Sequence, residues 1–265
     1  MSENSEKLPE NQWRGIHLNR MGLRISGISF SISRDGSFDS APVEIGVSLD
    51  LYIHWLEIAL QHLYEAQAAH EELLACWDSD DANRKNKALE RDFSSSMQCV
   101  LASAVAVDAF YAMVRDFVTI PKKTIESWER KRLSRAKRIS EVFRLGFRIS
   151  SAGFKSMRSH LCELFKWRDW CVHPEAGFDK PVRYKELHVA TEWRFVAFRF
   201  DNAKNSLAIA LSVIAQLLNQ GKPRIPELAK HCERIEYLVA PLIDVWEREF
   251  GTLYSRQSKQ KERGT

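Results

Sequence analysis

Apolar residues at helical spacing constrain the fold of this chain more than any other feature. They recur every three or four positions in two long stretches and in several shorter ones. A helix with one apolar stripe must bury that stripe against another element. We therefore expect a mainly α protein, an antiparallel helical bundle. The predicted helical stretches are 48–77, 89–118, 125–147, 157–172, 202–219 and a final one from 226 onward.

The N-terminal part has a different pattern. Apolar residues alternate loosely over 23–33, a turn signal follows at 34–37, and 43–47 is apolar again. Alternation around a turn predicts a short β-hairpin, with 43–47 as part of its return. The predicted organisation is an N-terminal extension with this hairpin, a helical bundle, and an extra C-terminal helix with a flexible tail. These parts are 1–47, 48–220 and 221–265.

Composition indicates which cellular compartment and which class of protein to expect. Of 265 residues, 45% are apolar, which is ample for a core. The five cysteines are odd in number and widely spread, which favours neither a disulfide framework nor a zinc site and fits a reducing cytosol. The N-terminus lacks a secretory pattern, and the apolar runs 99–107 and 207–218 are too short to span a bilayer. We expect a cytoplasmic protein without membrane partners.

Positive charge is concentrated in the middle of the chain. The net charge is only +4, yet twelve Lys and Arg stand against three Glu between Pro121 and His160. Such a block is the electrostatic footprint of a phosphate-backbone contact, although a solvated helix face is commoner for charge runs. The candidate RNA-binding residues are Arg132, Arg135 and Arg138 of this block, together with Lys166.

The candidate chemistry lies where a helical pattern stops at His173, directly before Pro174. Proline disfavours the α conformation in the preceding residue, so the helix should end near His173. Residues five apart on an intact helix point about 140° apart. Arg168 and His173 therefore share a target only if the helix ends there. A purely structural interpretation is that cationic side chains complement the negative end of the helix dipole.

One acidic residue could support that arginine. Asp108 lies in an apolar stretch of the second long helix, and a buried carboxylate needs a partner. It either orients Arg168 or pairs structurally with Arg115 or a backbone group. Three histidines at an eight-residue spacing, His54, His62 and His70, drift about 80° around the helix at each step and are interpreted as surface residues.

The segment Arg168-Asp169-x3-His173, followed by a proline, resembles the R-(N/D/H)-x3-H signature of the HEPN superfamily. Arg183 and His188 repeat the spacing, but no convincing long helix precedes them in the sequence. The resemblance implies a HEPN-like bundle and a metal-independent endoribonuclease without cofactors. It further implies a homodimer in which two Arg/His sets line one cleft, and a toxin or phage-defence role with a possible antitoxin or regulatory partner.

The implied roles follow from what RNA cleavage needs. His173 would transfer a proton near neutral pH, and the planar fork of Arg168 suits a phosphate. Asp169 would position one of these side chains. Where many HEPN nucleases have a tyrosine two residues after the histidine, this chain has Glu175, whose carboxylate opposes RNA phosphate. The alternative is a non-catalytic HEPN-like module that binds RNA or protein through the basic segment 122–158.

Overall fold

The protein is mainly helical, as the apolar periodicity predicts. A computed structural model describes residues 16–18, 21–25, 30–40, 45–173 and 180–253. The chain divides into two compact units, Met1–Asp50 and Leu51–Thr265. The first unit is built of strands, and the second contains the helices and four short strands.

In the first unit, antiparallel strands form a three-stranded sheet of order β1-β2-β5 and a separate hairpin, β3-β4. Gly36 takes a left-handed φ of +82° at the hairpin turn. The Ser37 backbone N–H and hydroxyl donate to the Asp35 carboxylate and lower its pKa. The strands are β1 (Ile16–Leu18), β2 (Met21–Ile25), β3 (Phe30–Ile32), β4 (Phe38–Ser40) and β5 (Ile45–Leu49).

The predicted turn at 34–37 is confirmed, but its return strand is different. The chain comes back immediately as β4, which pairs with β3 from Phe30↔Ser40 to Ile32↔Phe38. Of the predicted return 43–47, residues 45–47 lie in β5, which pairs with β2 so that Val47 is opposite Leu23. Residues 43 and 44 lie outside the described residues. The N-terminal unit therefore contains a hairpin and a sheet rather than a single hairpin.

The second unit is built around a long hairpin of α1 and α2, against which α7, α4 and α5 pack. Two-stranded ladders pair β6 with β9 and β7 with β8. The helices are α1 (Leu51–Cys76), α2 (Ala82–Phe117), α3 (Lys122–Arg130), α4 (Arg135–Gly146), α5 (Ser151–Val172), α6 (Trp193–Ala197), α7 (Phe200–Asn219) and α8 (Pro226–Phe250). The strands are β6 (Phe147–Arg148), β7 (Val182–Tyr184), β8 (Val189–Thr191) and β9 (Lys222–Pro223).

The core of this unit follows the helical period. The inward side of α2 contains many small residues, so neighbouring helices approach it closely. The buried stripe of α1 includes seven residues spaced alternately by four and three: Tyr52, Leu56, Ala59, Leu63, Ala66, His70 and Leu73. His70 belongs to this stripe, so its interpretation as a surface residue is wrong.

The predicted third helix over 125–147 is two helices. It is interrupted after α3, where Arg132 takes a positive φ of 47°, and α4 begins at Arg135. A second boundary also differs from the prediction. The segment 150–153, expected to end a helix, begins α5, because the Ser150 side chain accepts a hydrogen bond from the Gly153 backbone N–H. The basic block is therefore distributed over three helices.

The apolar run at 99–107 lies within a longer helix than predicted. Within the described part of the chain, α2 is long and apolar enough to span a membrane, by length and composition alone. Its apolar stretch is nevertheless 61% buried inside the protein, as in a core helix. The packing of α7, α4 and α5 against α2 accounts for its apolar composition.

Candidate functional site at the end of helix α5

Helix α5 ends where the sequence predicts. Val172 is its last helical residue, and His173 leaves the helix with φ −120° and ψ 72°. The His173 backbone N–H still donates to the Asp169 carbonyl, at 3.0 Å, which closes the last turn. The residue is exposed to solvent, so a substrate can reach its side chain. Pro174 and Glu175 lie outside the described residues.

Arg168 occupies the inward edge of the same helix. It lies three and four positions after Phe165 and Leu164, which are both buried, and its own side chain is 26% exposed. The guanidinium carbon lies 5.3 Å from the centre of the Phe165 ring. A guanidinium nitrogen, Nη1, lies 3.1 Å from an Asp169 carboxylate oxygen. Asp169 thus contacts the arginine side chain of the predicted site.

Asp108 does not pair as the sequence suggested. Its carboxylate accepts a hydrogen bond of 2.8 Å from Arg135 Nε and lies 2.6 Å from Arg135 Nη2. The Arg135 guanidinium carbon lies 4.4 Å from the centre of the Tyr111 ring, which orients it from a second side. Neither Arg168 nor Arg115 is the ion-pair partner of Asp108. The carboxylate is also about one-third exposed rather than buried.

Two cavities meet at Phe165 and bring these groups together. The first, of about 300 Å³, lies between α2 and α5 and is lined by Asp108 and Arg168, among apolar side chains. The second, of about 230 Å³, lies between α4 and α5 and is lined by Arg135, Lys166 and Asp169, among others. Three cationic and two acidic side chains thus line two cavities that share one phenylalanine.

Cys171 is a thiol in the last turn of α5, beside this site. Burial raises its pKa to about 12, although the nearby Arg168 charge acts in the opposite direction. The sulfur lies 3.8 Å from the Met97 carbonyl oxygen. A thiol with a raised pKa stays protonated at neutral pH and is a poor nucleophile. Cys171 instead packs the end of α5 against α2.

Of the predicted RNA-binding side chains, some are exposed and others are held by hydrogen bonds within the protein. Lys166 is exposed, and Arg132 is exposed in the linker between α3 and α4. Arg135 is held by Asp108, and Arg138 Nε donates to the Leu133 carbonyl at 2.9 Å. Lys166 and Arg135 line one cavity, whereas Arg132 and Arg138 lie outside its lining.

Sequence reasoning missed a second polar cluster, buried between α1, α2 and α7. His70 Nδ1 lies 2.8 Å from an Asp92 carboxylate oxygen. The other Asp92 oxygen accepts hydrogen bonds from the Ser96 hydroxyl and from the Phe200 backbone N–H, at the start of α7. The hydrogen bond to Asp92, offset in part by burial, raises the pKa of His70. This cluster ties three helices together.

A sequence signal for this cluster exists. Asp92, Ser96, Cys99 and Ser103 follow one another at spacings of four, three and four, which is the inward stripe of α2. Asp108 falls five positions after Ser103 and is displaced from that stripe. The helical period therefore identifies Asp92, and not Asp108, as the buried acid of α2.

Comparison of the chain with protein-family models, with curated proteins and with solved structures found no match.

Proposed function

We propose that this chain is a metal-independent endoribonuclease of the HEPN type. The observation that supports it best is the clustering at the end of α5, where Arg168 contacts Asp169 and His173 leaves the helix one turn later. Two further cations, Arg135 and Lys166, line the neighbouring cavity. An arginine fork, an exposed imidazole and adjacent positive charge are the groups that phosphate-ester cleavage in RNA needs.

The proposed reaction is attack of a ribose 2′-oxygen on the adjacent phosphorus as the bond to the 5′-oxygen breaks. The products are a 2′,3′-cyclic phosphate and a 5′-hydroxyl. One His173 accepts the 2′-hydroxyl proton, and Arg168 stabilises the charge on the phosphorane oxygens. Asp169 orients the guanidinium through their ion pair.

One imidazole cannot serve as base and acid in a single step. We propose that a homodimer brings two α5 ends together, so that His173 of the partner subunit protonates the leaving 5′-oxygen. A two-fold interface duplicates the same surface without any further sequence feature. In this proposal the enzyme is a toxin or phage-defence effector, held in check by an antitoxin or regulatory protein.

A second candidate function is a non-catalytic module that binds RNA or protein. The basic segment 122–158, with its exposed Arg132, favours it, as does the exposed Lys166. In that case charge reversal at Arg132 and Arg138 weakens RNA binding, and the affinity falls steeply with salt. Cleavage is then absent under every condition.

The test is incubation of the purified protein with single-stranded RNA in EDTA, followed by analysis of the product ends. The enzyme proposal expects 2′,3′-cyclic phosphate and 5′-hydroxyl ends, and loss of cleavage in Arg168→Ala and His173→Ala with unchanged dimer size. Unaltered cleavage in both variants overturns the site. Salt-sensitive binding without cleavage favours the binding module.

A further inference from the structure

Three tryptophan side chains, those of Trp167, Trp170 and Trp193, form a cluster beside the candidate site. The ring centre of Trp170 lies 6.1 Å from that of Trp167, and it lies 5.4 Å from that of Trp193, at an interplanar angle of 70°. All three rings are half-buried. Trp170 and Trp193 bring α5 and α6 into contact, and Trp170 also lines the cavity of about 230 Å³ between α4 and α5.

A cation already lies over the Trp170 ring. The Lys166 ammonium nitrogen is 4.8 Å from the ring centre, and this lysine is exposed on the surface of α5. A flexible, exposed ammonium on an aromatic face contributes only about 0.5–1 kcal/mol. A flat ligand can therefore displace Lys166 from the ring face at small cost and leave its charge beside the ligand.

The rest of the lining fits a group that is apolar on its faces and anionic at one end. Phe165 and Trp170 contribute aromatic surface, and Lys166 and Arg135 contribute positive charge. Arg135 is partly neutralised by Asp108, so Lys166 is the more available cation. Asp169 lines the same cavity, and its carboxylate repels a phosphate from that side.

We propose that this cavity binds one unpaired nucleotide of an RNA strand, with its base stacked on Trp170 and its phosphate at Lys166. The inference rests on the proposed function, because it adds a base-binding position to the same site. Stacking on an aromatic side chain requires an unpaired base, so the protein selects single-stranded segments at this position. The stacked base holds the strand while the neighbouring phosphate reaches Arg168.

Binding is measured with the wild-type chain and a short oligocytidine whose riboses are 2′-O-methylated, so that it cannot be cleaved. A second probe has the same backbone without bases. We expect Trp170→Leu to weaken binding of the base-bearing probe about tenfold and to leave the abasic probe unchanged. Trp170→Phe retains a stacking face and should restore most of the affinity.

Trp128→Leu is the matched control, because Trp128 is a half-buried tryptophan on the basic helix α3 and does not line the cavity. Its binding of both probes should stay within about twofold of wild type. Equal weakening of both probes by Trp170→Leu, or no weakening of either, overturns the proposal. So does a wild-type protein that binds neither probe.

The EDTA cleavage assay separates this proposal from the proposed function. If wild type and Trp170→Leu cleave unmodified RNA with the same KM, the stacking position is wrong and the nuclease stands. If wild type does not cleave but binds the two probes with the predicted difference, the nuclease is wrong and the nucleotide-binding cavity stands.

Discussion

Two of the carboxylates on helix α2, those of Asp92 and Asp108, lie sixteen residues apart in contrasting environments. The Asp92 side chain is 2% exposed and contacts His70, Ser96 and the backbone of Phe200. The Asp108 side chain is 35% exposed and pairs with Arg135 beside the two cavities. The first carboxylate joins three helices, and the second orients a cation at the candidate site.

This difference assigns separate tasks to the two regions. A buried carboxylate with three hydrogen-bonding partners contributes to stability, since each partner left unpaired is costly. A half-exposed ion pair contributes little to stability because water screens it, and its groups remain accessible to a ligand. We therefore expect variants near Asp92 to change unfolding and variants at the end of α5 to change activity.

The largest expected effect is the loss of stability in Asp92→Ala. Removing one partner of a buried charged pair leaves His70 and the Phe200 N–H without their acceptor, and we expect the free energy of unfolding to fall by about 3–5 kcal/mol. Denaturant unfolding measures it. Asp108→Ala is the matched control on the same helix, with a loss of at most about 1 kcal/mol. Equal losses in the two variants would remove the distinction between the regions.

The next largest expected effect is the slower RNA cleavage of Arg168→Lys. Lysine keeps the positive charge but lacks the planar fork, so RNA cleavage in EDTA should slow on the order of 10²-fold. The melting temperature should hardly change, because the residue lies at the edge of the core. Arg183→Lys, in the second pair of the same spacing, should cleave at the wild-type rate. A large fall in melting temperature with normal cleavage would assign Arg168 to the fold instead.

Stability should depend on pH through His70. Its hydrogen bond to Asp92, with the nearby charges of Asp201 and Glu186, raises its pKa in the folded protein. The resulting stability is fully present below the ordinary histidine value of about 6.5 and is lost as pH rises through the folded pKa. The free energy of unfolding should thus decrease from about pH 6 upward, as measured by urea unfolding at a series of pH values.

His70→Gln is the control for this dependence, because glutamine does not titrate. Its unfolding free energy should lack the decrease that wild type shows over the same pH range. A decrease of equal size in both proteins would assign the pH dependence to other groups.

The smallest effect concerns the Asp108–Arg135 pair. A double-mutant cycle with Asp108→Asn and Arg135→Gln should give a coupling energy of about 0.2–1 kcal/mol for unfolding. In the same variants, loss of the Arg135 charge should reduce the salt dependence of RNA binding by about one counterion. A coupling energy above about 3 kcal/mol would place this pair in the same class as His70–Asp92.

The helical period predicted much of this fold. It located α1, α2, α7 and α8, and the proline after His173 located the end of α5. The helical period did not predict the break between α3 and α4. The residue with a left-handed conformation there is Arg132, whereas a glycine or asparagine would have indicated a break. The start of α5 was also missed, since the serine-rich segment 150–153 was expected to end the preceding helix, whereas Ser150 caps α5.

The site was harder to predict than the helices, because ion pairs between helices depend on how the helices pack. Asp108 was recognised as needing a partner, but which arginine would reach it depended on the break before α4. His70 and Asp92 were accessible to sequence reasoning through the stripes of α1 and α2. The eight-residue spacing of three histidines obscured that signal, since only His70 falls on the buried stripe.

The most direct test of the proposed site compares two histidines that follow an arginine at the same spacing. His173 ends α5, whereas His188 lies on an exposed turn with φ +54°, which asparagine tolerates. The measurement is the rate of single-stranded RNA cleavage in EDTA by wild type, His173→Asn and His188→Asn. We predict a fall of about 10²–10⁴-fold for His173→Asn and no change for His188→Asn. Equal rates in all three proteins would contradict the assignment.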